Sequence, residues 1–437
     1  MPNRLLAAAL AALLLAGVPP AVAQDAPKDA PKAAAATDDE LKEVALKLNA
    51  LTSNDASSAK VRELIKDKEA AKRLVKVAAK ALKDGGEKDP PFKYNAGLVL
   101  GTLAIRVKDW PSAEAFYTFC YENAEKLQSG KKMLEAYEVL VEVLNEQKKF
   151  DKAEELTKRV LDGGGKEVEQ AQLGIMEKLI QTLAKGGNTD EALAKIDGLT
   201  NLITDKDKML WYMVKMKAEV YREANKLDDA IAQYLDAIDK VRAAKGLKKS
   251  EKTAEARVME YTLTGLYVDN KQIDKSVELL EKLLKANPEN GTFYNDLGYV
   301  LADNDQKLDE AETLVRKALS LEADLKKKLL DEGNISEDFA KKENSAYLDS
   351  LGWVLYKRGK YEEAYKYLDK ASQDSDEGNH IEIWDHVADC LVKLDKKKEA
   401  VEVWTKALKL EDATKRDIER RKKVEAKLKK LQAELAK

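Results

Sequence analysis

Apolar residues recur along most of this chain at intervals of three and four, in stretches too long for strands and separated by short polar turns. Leu41, Val44 and Leu48 open the pattern, and Val61, Leu64, Leu74, Ala78 and Leu82 continue it in a segment from 39 to 90 that ends at Pro90-Pro91. Beyond the prolines the pattern comes in pairs of predicted helices. The second helix of each pair opens on a small residue after a turn rich in Asp, Glu or Lys. Those openings are Ala113, Ala153, Ala192, Ala230, Ser276, Ala311, Ala364 and Ala400. Twelve residues upstream stand Gly101, Val141, Ile180, Ala218, Thr264, Gly352 and Ala388, with Gly298 thirteen before Ala311. Two antiparallel helices cross closely only where a small residue meets another. A lone pair cannot bury its apolar face, so neighbouring pairs must stack. The pattern predicts an all-α stack of helix-turn-helix units.

The best-formed unit runs Ser345-Ala-Tyr-Leu-Asp-Ser-Leu-Gly-Trp-Val-Leu-Tyr-Lys-Arg-Gly-Lys-Tyr-Glu-Glu-Ala364. Leu351, Gly352, Leu355 and Ala364 stand where the tetratricopeptide repeat places its Leu-Gly pair, its bulky residue three positions on and its helix-opening Ala. The chain resembles that family over roughly 92–410. The resemblance implies a right-handed α-solenoid of about eight repeats over 91–410, capped by helices at 39–90 and 411–437. Spacings of 35 to 53 between openings exceed the family's usual repeat of about 34 residues. The longest contains Glu322–Asn344, expected to form an extra short helix and loop.

The family usually holds other proteins and is not catalytic, so the resemblance implies a scaffold that binds a protein or peptide. Its first helices line the concave face. Carried onto the sixth to eighth units, the lining positions are Asn295, Tyr299 and Ala302, then Asp349, Trp353 and Tyr356, then Asp385, Asp389 and Val392. This aromatic and acidic stripe is the candidate peptide groove: aromatics give rigid contact area and Asp selects cationic groups. The competing reading is that Tyr299 and Trp353 simply pack between adjacent helices. A clamp for a C-terminal carboxylate is not expected, because the family's Lys, Arg and Asn places are acidic here.

Composition narrows the partners. With 76 basic and 79 acidic residues there is no global field to draw nucleic acid or an anionic membrane. Arg4, an apolar run from Leu5 to Val18 and the small-residue site Ala21-Val22-Ala23 read as a cleaved signal peptide over 1–23, leaving no integral membrane span after processing. Residues 24–38 read as an Ala/Pro/Lys/Asp linker. Export to the periplasm or cell exterior is therefore expected. Cys120 and Cys390 are far apart in a nearest-neighbour fold and are expected to be buried thiols. At the other end, Ile418, Val424, Leu428, Leu431 and Leu435 suggest a charged capping helix, or the seam of a weak homodimer.

No catalytic, metal or cofactor site is expected. His380 and His386 lack metal-ligand spacing, Asp303-Asn304-Asp305 lacks the glycine of a calcium loop, and Gly163-Gly164-Gly165-Lys166 lacks the features of a phosphate loop. The alternative to a binding scaffold is an architectural or assembly subunit of an envelope export or polysaccharide complex.

Overall fold

The computed structural model describes residues 36–86, 90–203, 205–374, 378–410 and 414–436. The expected signal peptide and nearly all of the expected linker lie outside them. Among the described residues every regular element is helical. The chain divides into two compact units, one through Gln233 and one from Tyr234 on.

The first unit begins with α1 (Asp38–Lys47), α2 (Asn54–Leu64) and α3 (Lys68–Gly85). Thr37 and Glu40 form a capping box that starts α1, and Ser53 and Asp67 cap the next two. Leu41, Leu48, Leu74 and Ala78 are buried, and Val44, Val61, Leu64 and Leu82 pack against the same core. Helix pairs follow: α4 (Tyr94–Arg106) with α5 (Trp110–Lys126), α6 (Gly130–Glu146) with α7 (Phe150–Gly163), and α8 (Lys166–Lys185) with α9 (Thr189–Leu202). Next come α10 (Lys206–Glu223) and α11 (Leu227–Ala243), whose span includes the division between units. Gly164 and Gly165 have positive φ between α7 and α8, so the glycine run is a helix stop.

The second unit pairs α12 (Lys249–Asp269) with α13 (Ile273–Ala286), and α14 (Gly291–Asp303) with α15 (Leu308–Asp331). After the short α16 (Glu337–Lys341) it pairs α17 (Ser345–Lys357) with α18 (Tyr361–Ser372) and α19 (Ile381–Lys393) with α20 (Lys397–Ala407). It ends with α21 (Lys415–Leu435). Each unit is an all-α stack of helical repeats.

All eight helix-opening residues are fully buried, Ala113 through Ala400. The crossing is tightest at the glycines. A Cβ on Gly352 would lie 2.5 Å from Leu368 Cγ, and one on Gly298 would lie 2.6 Å from Val315 Cγ2. Only a residue without a side chain lets these helices meet.

One local expectation changes. Leu325 to Leu330, read as part of an extra helix, instead extend α15 to Asp331. Nothing between Leu308 and Asp331 can stop a helix, and the chain breaks only at Gly333, whose φ is +70°. The separate short helix is α16 alone. Asp303-Asn304-Asp305 is the turn between α14 and α15, with Asp305 in the left-handed region.

Candidate functional site

The stripe predicted as a groove belongs to α14, α17 and α19, the first helices of three successive repeats in the second unit. Each residue keeps its register position, but most are not on a free surface. Asn295, Asp349, Trp353 and Asp385 are buried, and Tyr299, Tyr356 and Asp389 are half-buried.

Trp353 and His386 explain why. The indole of Trp353 stacks on the His386 imidazole with centroids 4.0 Å apart, and Tyr356 stacks on its own side at 4.9 Å. Trp353 Nε1 donates to Asp303 at 3.1 Å. The two Asp349 carboxylate oxygens lie 3.0 and 3.1 Å from His386 Nδ1. His386 Nε2 is buried without a partner. Tyr299 of α14 reaches past α17 to donate to Glu382 of α19 at 2.8 Å. The Asn295 side-chain amide donates to Asp296 at 3.2 Å, while its Oδ1 is buried and unpartnered. First helices two repeats apart therefore touch, and the stripe closes on itself between them. At these positions the aromatics are taken up in packing between the first helices, as the competing reading had it.

The acidic part of the stripe is covered by α21. Arg420 pairs with Glu382 and with Asp385, the latter at 3.3 Å. Lys427 donates to Asp385 at 2.8 and 3.0 Å and to Asp389 at 2.6 Å. Trp404 Nε1 of α20 also donates to Asp385, at 2.9 Å. Arg416 reaches Asp269 at 2.7 Å and the Gly265 carbonyl at 3.2 Å, both on α12. The three cations lie at i, i+4 and i+11 of α21 and so share one face. Val424 and Leu431 are buried beside them.

These contacts set the ionisation of the group. Burial opposes charge on Glu382, but His386 and Arg420 outweigh it and hold the carboxyl below its ordinary range. The same contest, with Lys427 as the main cation, lowers Asp385. Asp389 goes the other way: burial and the neighbouring Asp385 raise it. For His386, burial disfavours the imidazolium, yet the Asp349 carboxylate outweighs burial and the ring is more basic than usual. Burial, with Glu382 adjacent, pushes the Tyr299 phenol well up.

Sequence reasoning missed His386, Glu382 and the three cations of α21. Their signal was present only as the shared helical face of Arg416, Arg420 and Lys427. The predicted homodimer seam is also used internally. Val424 and Leu431 are buried and Leu428 packs on the core, while Ile418 and Leu435 are 42% and 44% exposed. Both cysteines are buried thiols; Cys120 donates to the Tyr94 carbonyl and Cys390 to that of Tyr361.

Residues 266–324 match the family model described as Tetratricopeptide repeat, and residues 304–407 match that of Anaphase-promoting complex, cyclosome, subunit 3. Part of the second unit is thus similar to tetratricopeptide repeats. A TPR repeat-containing protein of Pseudomonas aeruginosa is 28% identical to this chain over 222 residues. That match spans 50% of the chain and 31% of the relative's length. Among solved structures, a thermophilic TPR protein of Thermus thermophilus has 16% identity and a TM-score of 0.34, over 49% of this chain and 97% of that one. MamA of Desulfovibrio magneticus has 16% identity and a TM-score of 0.30, over 44% and 94% respectively. Among the described residues no helix is long and apolar enough to cross a membrane.

Proposed function

We propose that this chain is an exported, non-catalytic scaffold whose tetratricopeptide repeats hold another protein or peptide. The observation that carries the reading is the run of stacked repeats with buried small residues at every crossing, in the family whose members generally bind proteins. Export rests on the Arg4, Leu5–Val18 and Ala21-Val22-Ala23 pattern at the N-terminus. Burial of Trp353 and Asp349 favours a second reading as an architectural subunit of an envelope complex, with partners on faces other than the stripe.

Two measurements test this. N-terminal sequencing of exported material should find a start at Gln24; an intact Met1 contradicts export by this route. Affinity capture of the mature chain from its native envelope, followed by mass spectrometry, should enrich a stoichiometric protein partner. Recovery of the chain alone counts against the scaffold reading.

A further inference from the structure

Capping the last repeat requires α21 to cover α19 and α20 only. The helix does more. Its Arg416 reaches Asp269 and Gly265 on α12, the first helix three repeats upstream of α19. It thus runs along the side of the unit built from first helices. The contact is largely ionic. Across its 21 residues Val424 and Leu431 are the buried apolar side chains, whereas nine basic residues stand against four acidic ones. The seat beneath is preformed by other helices: Asp385, fully buried and held by Trp404, with Glu382 held by Tyr299. Next to it, Val258 and Tyr261 are 55% and 37% exposed on the face of α12 that carries Gly265 and Asp269. Tyr261 donates its hydroxyl to Asp296 at 2.6 Å and packs on Phe293, and the outer edge of its ring, with Val258, stays exposed beside α21.

We propose that this acidic face is a docking surface for a basic amphipathic helix, and that α21 is its resident occupant, which a partner helix displaces. The proposal rests on the scaffold reading and specifies the partner's chemistry: Arg or Lys at i, i+4 and i+11, with apolar residues on the adjoining face. Simple release of α21 would take Arg420 and Lys427 away from Asp385 and Asp389, leaving two neighbouring carboxylates without their cations, which is unfavourable. Exchange of one basic helix for another keeps those carboxylates paired throughout. The resident helix has the advantage of attachment. Seven residues join α20 to α21, a tether that gives an effective concentration in the millimolar range. A free helix therefore competes only if it carries additional contacts, and Tyr261 and Val258 offer them.

The test uses full-length purified protein and a fluorescein-labelled synthetic peptide of residues 414–437, so it is independent of whether any partner is captured from the envelope. In Arg420→Gln/Lys427→Gln the resident helix loses its central cations while Val424 and Leu431 remain. Fluorescence anisotropy should show this variant binding the peptide at least about tenfold more tightly than wild type does. A peptide carrying Glu in place of Arg420 and Lys427 should not bind. A folded variant, judged by circular dichroism, that ignores the peptide overturns the proposal, as does equal binding by wild type and variant. If this variant and the single change Lys427→Gln both unfold, α21 is an inseparable part of the core, and the proposal fails on that ground.

Discussion

His386 is the residue on which the second unit's charges turn. Asp349 of α17 holds one ring nitrogen, Trp353 covers the ring, Tyr299 of α14 lies 6.4 Å away, and Glu382 and Arg420 face it from α19 and α21. The imidazole is more basic here than its ordinary 6.5. A group whose pKa is raised by folding contributes stability below its unfolded value and loses that contribution as pH rises through its folded one. Thermal stability of this unit should therefore fall as pH is raised from the ordinary imidazole value upward. Asp349→Asn removes the charge responsible and should flatten that slope, whatever it does to the midpoint. A variant that keeps the wild-type slope would locate the titration elsewhere. The carboxylates act oppositely: Glu382 and Asp385, both lowered, stabilise above their ordinary values of 4.5 and 3.8 and lose that contribution as pH falls through the folded ones. Trp353 is equally committed to the interior. Trp353→Ala removes the surface on which His386 stacks and should cost about 3–5 kcal/mol in a chemical melt. An exposed groove residue would cost far less, so a loss near zero would return Trp353 to the surface.

At the scale of helices, the crossings were legible in the sequence because their cause is local. Gly352, Gly298 and the eight helix-opening residues are small for a reason that needs no knowledge of distant neighbours: two backbones approach there. The direction faced by Asp349, Trp353 and Asp385 was not legible. Their burial depends on α14, α17 and α19 packing on one another and on α21 covering α19. Those are contacts between segments dozens of residues apart, and no periodicity within α17 or α19 encodes them. The same logic separates two glycine substitutions. Gly352→Leu forces a side chain into Leu368 and should destabilise by several kcal/mol through overpacking. Gly198, within α9, has open space around its Cβ position and an ordinary helical backbone, so Gly198→Ala should stabilise by roughly 0.4–1 kcal/mol. Thermal or denaturant melts of both variants against wild type decide the matter, and equal shifts would mean that the crossing at Gly352 is wrongly placed.

Across the whole chain, stability should be shared unevenly, because each repeat draws most of its burial from its neighbours. A large core runs from Leu41 to Ile175, and another from Leu280 to Leu431, each within one unit. A lesion at Gly352 lies in the second of these, between Leu351 and Leu368. Its effect should spread first to α18 and α15, which share that packing, then to α14 and α19, and weaken from there. The amides of α4 to α7 belong to the first core and depend on Phe116, Tyr137 and Leu140, none of which the substitution touches. Native-state hydrogen exchange can measure this gradient directly, since local opening reports the stability of each cooperative block. In Gly352→Leu, protection should collapse in α17 and α18, decline in α14 and α19, and stay at wild-type levels in α4 to α7. Uniform loss of protection through both units would mean that the chain unfolds as a single cooperative block. Loss confined to α17 would mean that the repeats barely support one another. Either result would replace the nearest-neighbour account of how this chain is held together.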